Sequence, residues 1–166
     1  MTFISGIPTR ESSTTAFVDL NNLQDAQIRG LEAKWEEYIQ SVAAKIQSFT
    51  SYGEGWDGEG AEPVSGQIAR KAISIVRLVG NFRDDKEWVE PFTSPSRSGG
   101  VDLVWQVGDH RLVVIVSPRY EGDDVKVLEM GDAGHRASRI VSIEEAIGKI
   151  YSLLPQRFFE VLVASE

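Results

Sequence analysis

Apolar residues recur at Ile28, Leu31, Trp35, Tyr38, Val42, Ile46 and Phe49, in steps of three and four. This is one stripe along an α-helix and predicts a helix over about 24–50. Asn22 is placed to cap it, and Asp25 in its first turn suits the positive end of the helix dipole. Glu32, Lys34, Glu36, Glu37 and Lys45 fall largely off the stripe, and Gly30 is a mild defect within it. Such a stripe has two uses: it packs on the rest of the domain, the simpler reading, or it seals a homodimer through residues 24–50.

A second helical period begins after Ser65, an N-cap preceded by Val64, which can staple onto Ala69. Ile68, Ala72, Ile75, Val76 and Val79 share one face, widened by Ile73 and Leu78, and the helix is expected to run to about Phe82. The period then changes to two. In "VDLVWQVGDHRLVVIV" a Gly108-Asp109 turn would set Trp105 opposite Leu112, Leu103 opposite Val114 and Val101 opposite Val116. One face of the hairpin is then wholly apolar. The other carries Gln106 with Arg111, Val104 with Val113 and Asp102 with Ile115, and a one-residue slip would destroy this sorting.

"DVKVLEM" reads as a third antiparallel strand, 139–141 as a short extended entry and 88–92 as a short strand. Ser142 and Glu145 form a capping box for a last helix to about Leu154, interrupted by Pro155. Beyond it, "RFFEVLVASE" fits a helix or a strand. Residues 1–20 read as a flexible or loosely docked arm with a short strand at 16–20, ahead of one domain over 21–166. Grouped strands predict an α+β fold: an antiparallel meander of three to four strands, with two N-terminal helices and a C-terminal helix packed on one face.

Charge and composition narrow the function classes. With 17 basic and 25 acidic residues, the net charge is −8. That opposes nucleic-acid binding, which needs Lys and Arg to displace counterions. The absence of cysteine excludes thiolate catalysis, disulfides and cysteine metal sites. No secretory start and no long apolar run occur, so a cytoplasmic protein with no membrane partner is expected.

The densest candidate chemistry lies in "SYGEGWDGEGAEPVSG", 51–66, in the middle of a stretch (47–69) without Lys or Arg. Its carboxylates could in principle hold calcium or magnesium. Counted from Asp57, however, the sixth position is Glu62 rather than Gly and the twelfth is Ile68 rather than Glu, so the calcium-loop template fails. The two histidines, His110 at the hairpin turn and His135 in "GDAGHRAS", belong to no catalytic motif. "SPSRSGG" has glycines and one arginine for a phosphate but leads into a strand, not a helix. Trp105 falls on the apolar face, against an RNA-stacking role. No catalytic, metal or cofactor residues are assigned. What remains is a glycine-permitted turn whose Trp56 either plugs the core between two helices or anchors an interaction loop, with Trp56, Glu54, Glu59 and Glu62 as its protein-binding residues. Gly55, Asp57, Gly58, Gly60, Ser65 and Trp105 form its structural frame, with Asp57 bonding nearby amides and the three glutamates outside as a −3 patch.

"GWDGEGAEPVS", a helix, and "SGGVDLVW" opening a hairpin together resemble a group of small uncharacterised bacterial and phage proteins. These share a GWDGxGA motif followed by a helix and a GG-x-x-L-x-W hairpin. The likeness covers 55–116 and rests on Gly55, Trp56, Asp57, Gly58, Gly60, Ala61, Ser65, Gly99, Gly100, Leu103 and Trp105. Glu59 stands where an aromatic is common. The resemblance implies a compact module and carries no activity. The function expected is a non-enzymatic protein-interaction module, accessory or immunity/antitoxin-like. The alternatives are a small metal-dependent enzyme or cation-binding domain using the loop carboxylates, and the helix-mediated homodimer.

Overall fold

The computed structural model of the chain describes residues 15–81 and 86–156. They form α1 (Thr15–Ser48), α2 (Gly66–Asn81), β1 (Phe92–Pro95), β2 (Val101–Val107), β3 (His110–Val116), β4 (Asp124–Met130), β5 (Arg136–Ser142) and α3 (Ile143–Leu153). Short 3-10 turns lie at Phe49–Ser51 and Asp132–Gly134. The chain divides into two compact units, Met1–Lys34 and Trp35–Glu166. Of the first, the described side chains, Asp25 and those from Arg29 to Lys34, are exposed.

The second unit is α+β. Its five strands form one antiparallel meander in the order β1-β2-β3-β4-β5. The β2–β3 register pairs Trp105 with Leu112, Leu103 with Val114 and Val101 with Val116, as the alternation requires. Gly108 takes a φ of 58° in the connecting turn, a conformation that favours glycine. The apolar face of the sheet buries Val101, Leu103, Trp105, Leu112, Val114, Val116, Val125, Val127 and Val141. Onto it pack Ile68, Ala72, Ile75 and Val76 of α2 and Ala146, Ile147 and Ile150 of α3, in one core cluster. Both helix starts are capped as their sequences predict. Ser65 Oγ accepts from Ile68 N at 3.2 Å, and Ser142 Oγ accepts from Glu145 N at 3.2 Å. Among the described residues no helix is long and apolar enough to cross a membrane.

Four expectations need correction. Residues 16–20 are helix, not strand, and Asn22 lies inside α1 rather than capping it. The chain has neither Gly nor Pro between Pro8 and Gly30, so nothing stops the helix from propagating toward its N-terminus. The expected end of α2 at Phe82 and the undecided residues 157–166 lie outside the described residues.

Second, the buried side of α1 is not the full heptad stripe. Trp35, Ile39, Val42, Ala43, Ile46 and Phe49 are buried, while Leu31 and Tyr38 are exposed. Ile39 replaces Tyr38, one helical position round, because α1 closes on α2 there. A Cβ on Gly80 would overlap Ile39 Cδ1. Third, the short strand lies at Phe92–Pro95, not 88–92. Fourth, the extended entry at 139–141 is a full fifth strand, paired with β4 from Asp124↔Ser142 to Met130↔Arg136. It is an edge strand with only Val141 buried, so backbone pairing builds it without an apolar alternation to announce it.

Candidate functional site: a glycine loop locked by Arg97

The 52–65 loop folds around Asp57. Gly55, Gly58 and Gly60 take φ values of 69°, 78° and 87°, left-handed conformations that a side chain would strain. They let the chain curl so that Gly55 N donates to Ala61 O at 2.8 Å and Gly58 N to Gly55 O at 2.9 Å. Inside the curl, Asp57 Oδ1 accepts from Glu59 N at 2.9 Å and from Ala61 N at 3.0 Å.

The loop is closed by a residue forty positions away. Arg97 Nε meets Asp57 Oδ2 at 2.7 Å, and its Nη1 meets Glu59 Oε2 at 3.0 Å. Arg97 Nη2 also donates to Glu59 O at 3.0 Å. The backbone joins in, with Glu62 N donating to Arg97 O at 2.9 Å and a parallel bridge between Glu62 and Ser98. The amide of Glu59 is the main cause that holds the Asp57 carboxyl below its ordinary value; the amide of Ala61 and the charge of Arg97 add to it, and partial desolvation opposes them.

The strap that carries Arg97, between β1 and β2, fits its place closely. Ser96 N donates to Gly100 O at 2.9 Å, and Gly100 N donates back to Ser96 Oγ at 3.0 Å. A Cβ on Gly100 would lie 2.5 Å from Val116 O. Gly99, with a φ of 74°, would carry its Cβ 3.1 Å from Pro63 O. The "GWDGEGA" and "SRSGG" segments are thus two sides of one joint.

An aromatic ladder runs outward from the joint. Phe49 is buried; its ring lies 5.9 Å from that of Tyr52, which lies 5.7 Å from Trp56. Tyr52 is exposed, and Trp56 is half-buried with Nε1 donating to Glu62 O at 3.2 Å. Trp56 is therefore neither a core plug nor a free side chain. Glu54 and Glu62 are exposed, but Glu59 is paired with Arg97, so the expected −3 patch is broken. Ser65 stands at the start of α2, and Trp105 is fully buried in the core beneath the sheet, apart from the loop.

In the sequence the arginine of "SPSRSGG" points to no site, the phosphate reading having failed; its guanidinium is spent on Asp57 and Glu59. Both oxygens of Asp57 are engaged, which removes the central carboxylate from cation binding. Among the described residues no group of three or more His, Asp or Glu could hold a metal ion. The sheet register also brings His110 and His135 to one cleft of about 720 Å³ beside Glu129, Glu145 and Lys149. There Lys149 pairs with Glu129 at 2.5 Å, and His110 Nε2 lies 3.9 Å from a carboxylate oxygen of Asp132. Comparison of the chain with protein-family profiles, curated proteins and solved structures finds no match.

Proposed function

We propose that the chain is a non-enzymatic protein-interaction module of the accessory or immunity/antitoxin-like kind, acting in the cytoplasm. Its binding surface is the outward side of the 52–62 loop. The observation that carries this reading is the division of labour set by Arg97. Asp57 and Glu59 are consumed in holding the loop, while Tyr52, Trp56, Glu54 and Glu62 face outward on it. Trp and Tyr are the residue types that dominate binding hot spots. A loop already fixed by hydrogen bonds loses little conformational entropy when it is covered. Two glutamates with no ion pair among the described residues, beside two aromatic rings, suit a partner with an apolar pocket rimmed by Lys or Arg.

Affinity capture with mass spectrometry tests this. A stoichiometric partner is expected on the wild-type chain and should be lost when Glu54 and Glu62 are changed together to Lys. Retention of the partner by that double variant, or no partner at all, overturns the reading. A cation-binding domain would instead be stabilised by millimolar calcium, magnesium or manganese, through the ordinary linkage of ligand binding to folding. With Asp57 engaged, no thermal shift is expected from any of the three.

A further inference from the structure

The sheet has a second face, opposite the helices. Its register sets two rows across the strands. One runs Phe92, Val104, Val113, Leu128, Ser138, and the next runs Ser94, Asp102, Ile115, Lys126, Ile140. Phe92 and Ile140, at opposite edges of this face, are 63% and 60% exposed, the most exposed large apolar side chains among the described residues. Between them Val104, Val113, Ile115 and Leu128 are half-buried, and at the β1 edge Lys45 of α1 reaches over the Phe92 ring, 5.0 Å from its centre. Apolar side chains left partly exposed together on one sheet face mark an interaction surface.

We propose that a second copy of this chain covers the face, packed sheet on sheet about a twofold axis that runs along β3. Two observations select this occupant. The first is charge. An axis along β3 reverses the strand order and keeps the rows, so β2 of one copy lies over β4 of the other. Asp102 then meets the partner's Lys126, and Lys126 meets the partner's Asp102, in two equivalent pairs. Asp102 needs such a partner: its Oδ1 is buried and accepts no hydrogen bond among the described residues. Burial in the apolar face also raises its carboxyl above the ordinary value. Lys126, half-buried on the same row, makes no ion pair among the described residues.

The second observation is shape. The same operation lays Phe92 over Ser138 and Ile140 over Ser94, a large side chain against a small one at each edge. Val104 falls over Leu128, and Val113 and Ile115 meet their own copies near the axis. Facing sheets pack about 10 Å apart with strands within about 30° of one another, the arrangement this axis gives. One patch used by both subunits closes the assembly as a dimer. Arg111, which would approach its own copy, is exposed toward the end of β3 and donates to Gln106 Oε1 at 3.1 Å.

Sedimentation equilibrium from low to high micromolar concentration is the test. A monomer–dimer equilibrium is expected. Asp102→Lys and Lys126→Asp should each weaken it at least tenfold, and the double swap should restore it. Ile140→Glu, at an exposed edge position that does not enter the core, should give a folded monomer by circular dichroism. A strict monomer at all concentrations overturns the proposal. So does a dimer indifferent to Ile140→Glu and to both swaps, especially one broken by Tyr38→Glu, which would place the seam on α1. None of these substitutions touches the 52–62 loop, so failure here leaves the proposed partner surface standing.

Discussion

Asp57 and Asp102 are two carboxylates in opposite circumstances. Asp57 lies in a surface loop, yet both of its oxygens are bonded, one to two amides and the other to Arg97. Asp102 lies on a sheet face among valines and an isoleucine, yet one of its oxygens has no partner. Their ionisation moves in opposite directions: bonded amides lower the first and burial raises the second. The difference separates structural charge from binding charge. A carboxylate with satisfied oxygens has finished its work inside the fold, whereas a desolvated one with a bare oxygen is the kind of group the proposed dimer would use. Near the loop, the same distinction withdraws Glu59 from the proposed binding residues, since Arg97 holds it, and keeps Glu54 and Glu62 among them.

The strap offers the largest way to break this comparison. Gly100→Ala forces a methyl against Val116 O, and overpacking of this kind costs about 1–3 kcal/mol. Denaturant unfolding should show that loss, with faster hydrogen exchange at the Glu59 and Ala61 amides, while the distant β4–β5 side of the sheet keeps its protection.

Asp102→Asn comes next. With its folded pKa raised, the native state keeps its proton after the unfolded chain has ionised. Stability therefore falls as pH rises from the ordinary value of 3.8 toward the raised one. Asn removes that fall, so the variant should be more stable than wild type at neutral pH and show no gain well below 3.8, read by thermal melts at dilute concentration. Arg97→Gln should act less on stability, because Arg97 is largely exposed and surface ion pairs contribute at most about 1 kcal/mol. Its signature is local: faster exchange in the 52–62 loop with the core unchanged.

The smallest effect is acid release of the loop. Asp57 has a lowered folded pKa, so its contribution is present above the usual carboxylate value and is lost as pH falls through the lowered one. Exchange-sensitive amide signals of Glu59 and Ala61 should therefore move only below pH 3.8. Movement well above that pH would mean that the amides do not hold this carboxylate.

Local chemistry in this chain was legible; long-range chemistry was not. The hairpin register followed from alternation, because only one pairing sorts Trp105, Leu103 and Val101 onto one side. The Ser65 and Ser142 caps and the Asp57 amide bonds span two to four residues, within reach of pattern. Arg97 sits thirty-eight residues from Glu59, where no periodicity points. A signal did exist: an acid-rich loop with no Lys or Arg over 47–69 must draw its counter-charge from elsewhere, and "SPSRSGG" carries one cation. β5 escaped for the opposite reason: its residues are those of a solvated edge, and the strand exists because β4 needs a partner. Tyr38 misled because Tyr38 and Ile39 flank the stripe on opposite sides, and contact with α2 chose Ile39.

The most direct test of the account is a titration of the captured partner against wild type and Trp56→Ala, read by calorimetry, with circular dichroism confirming that both chains are folded. Trp56 is half-buried at the surface rather than in the core, so the variant should fold. The account predicts a stoichiometric complex with the wild type and a loss of at least tenfold in affinity for Trp56→Ala. Equal affinity for the two chains would contradict it, and would leave the glycine loop as a joint between α2 and the sheet with no partner of its own.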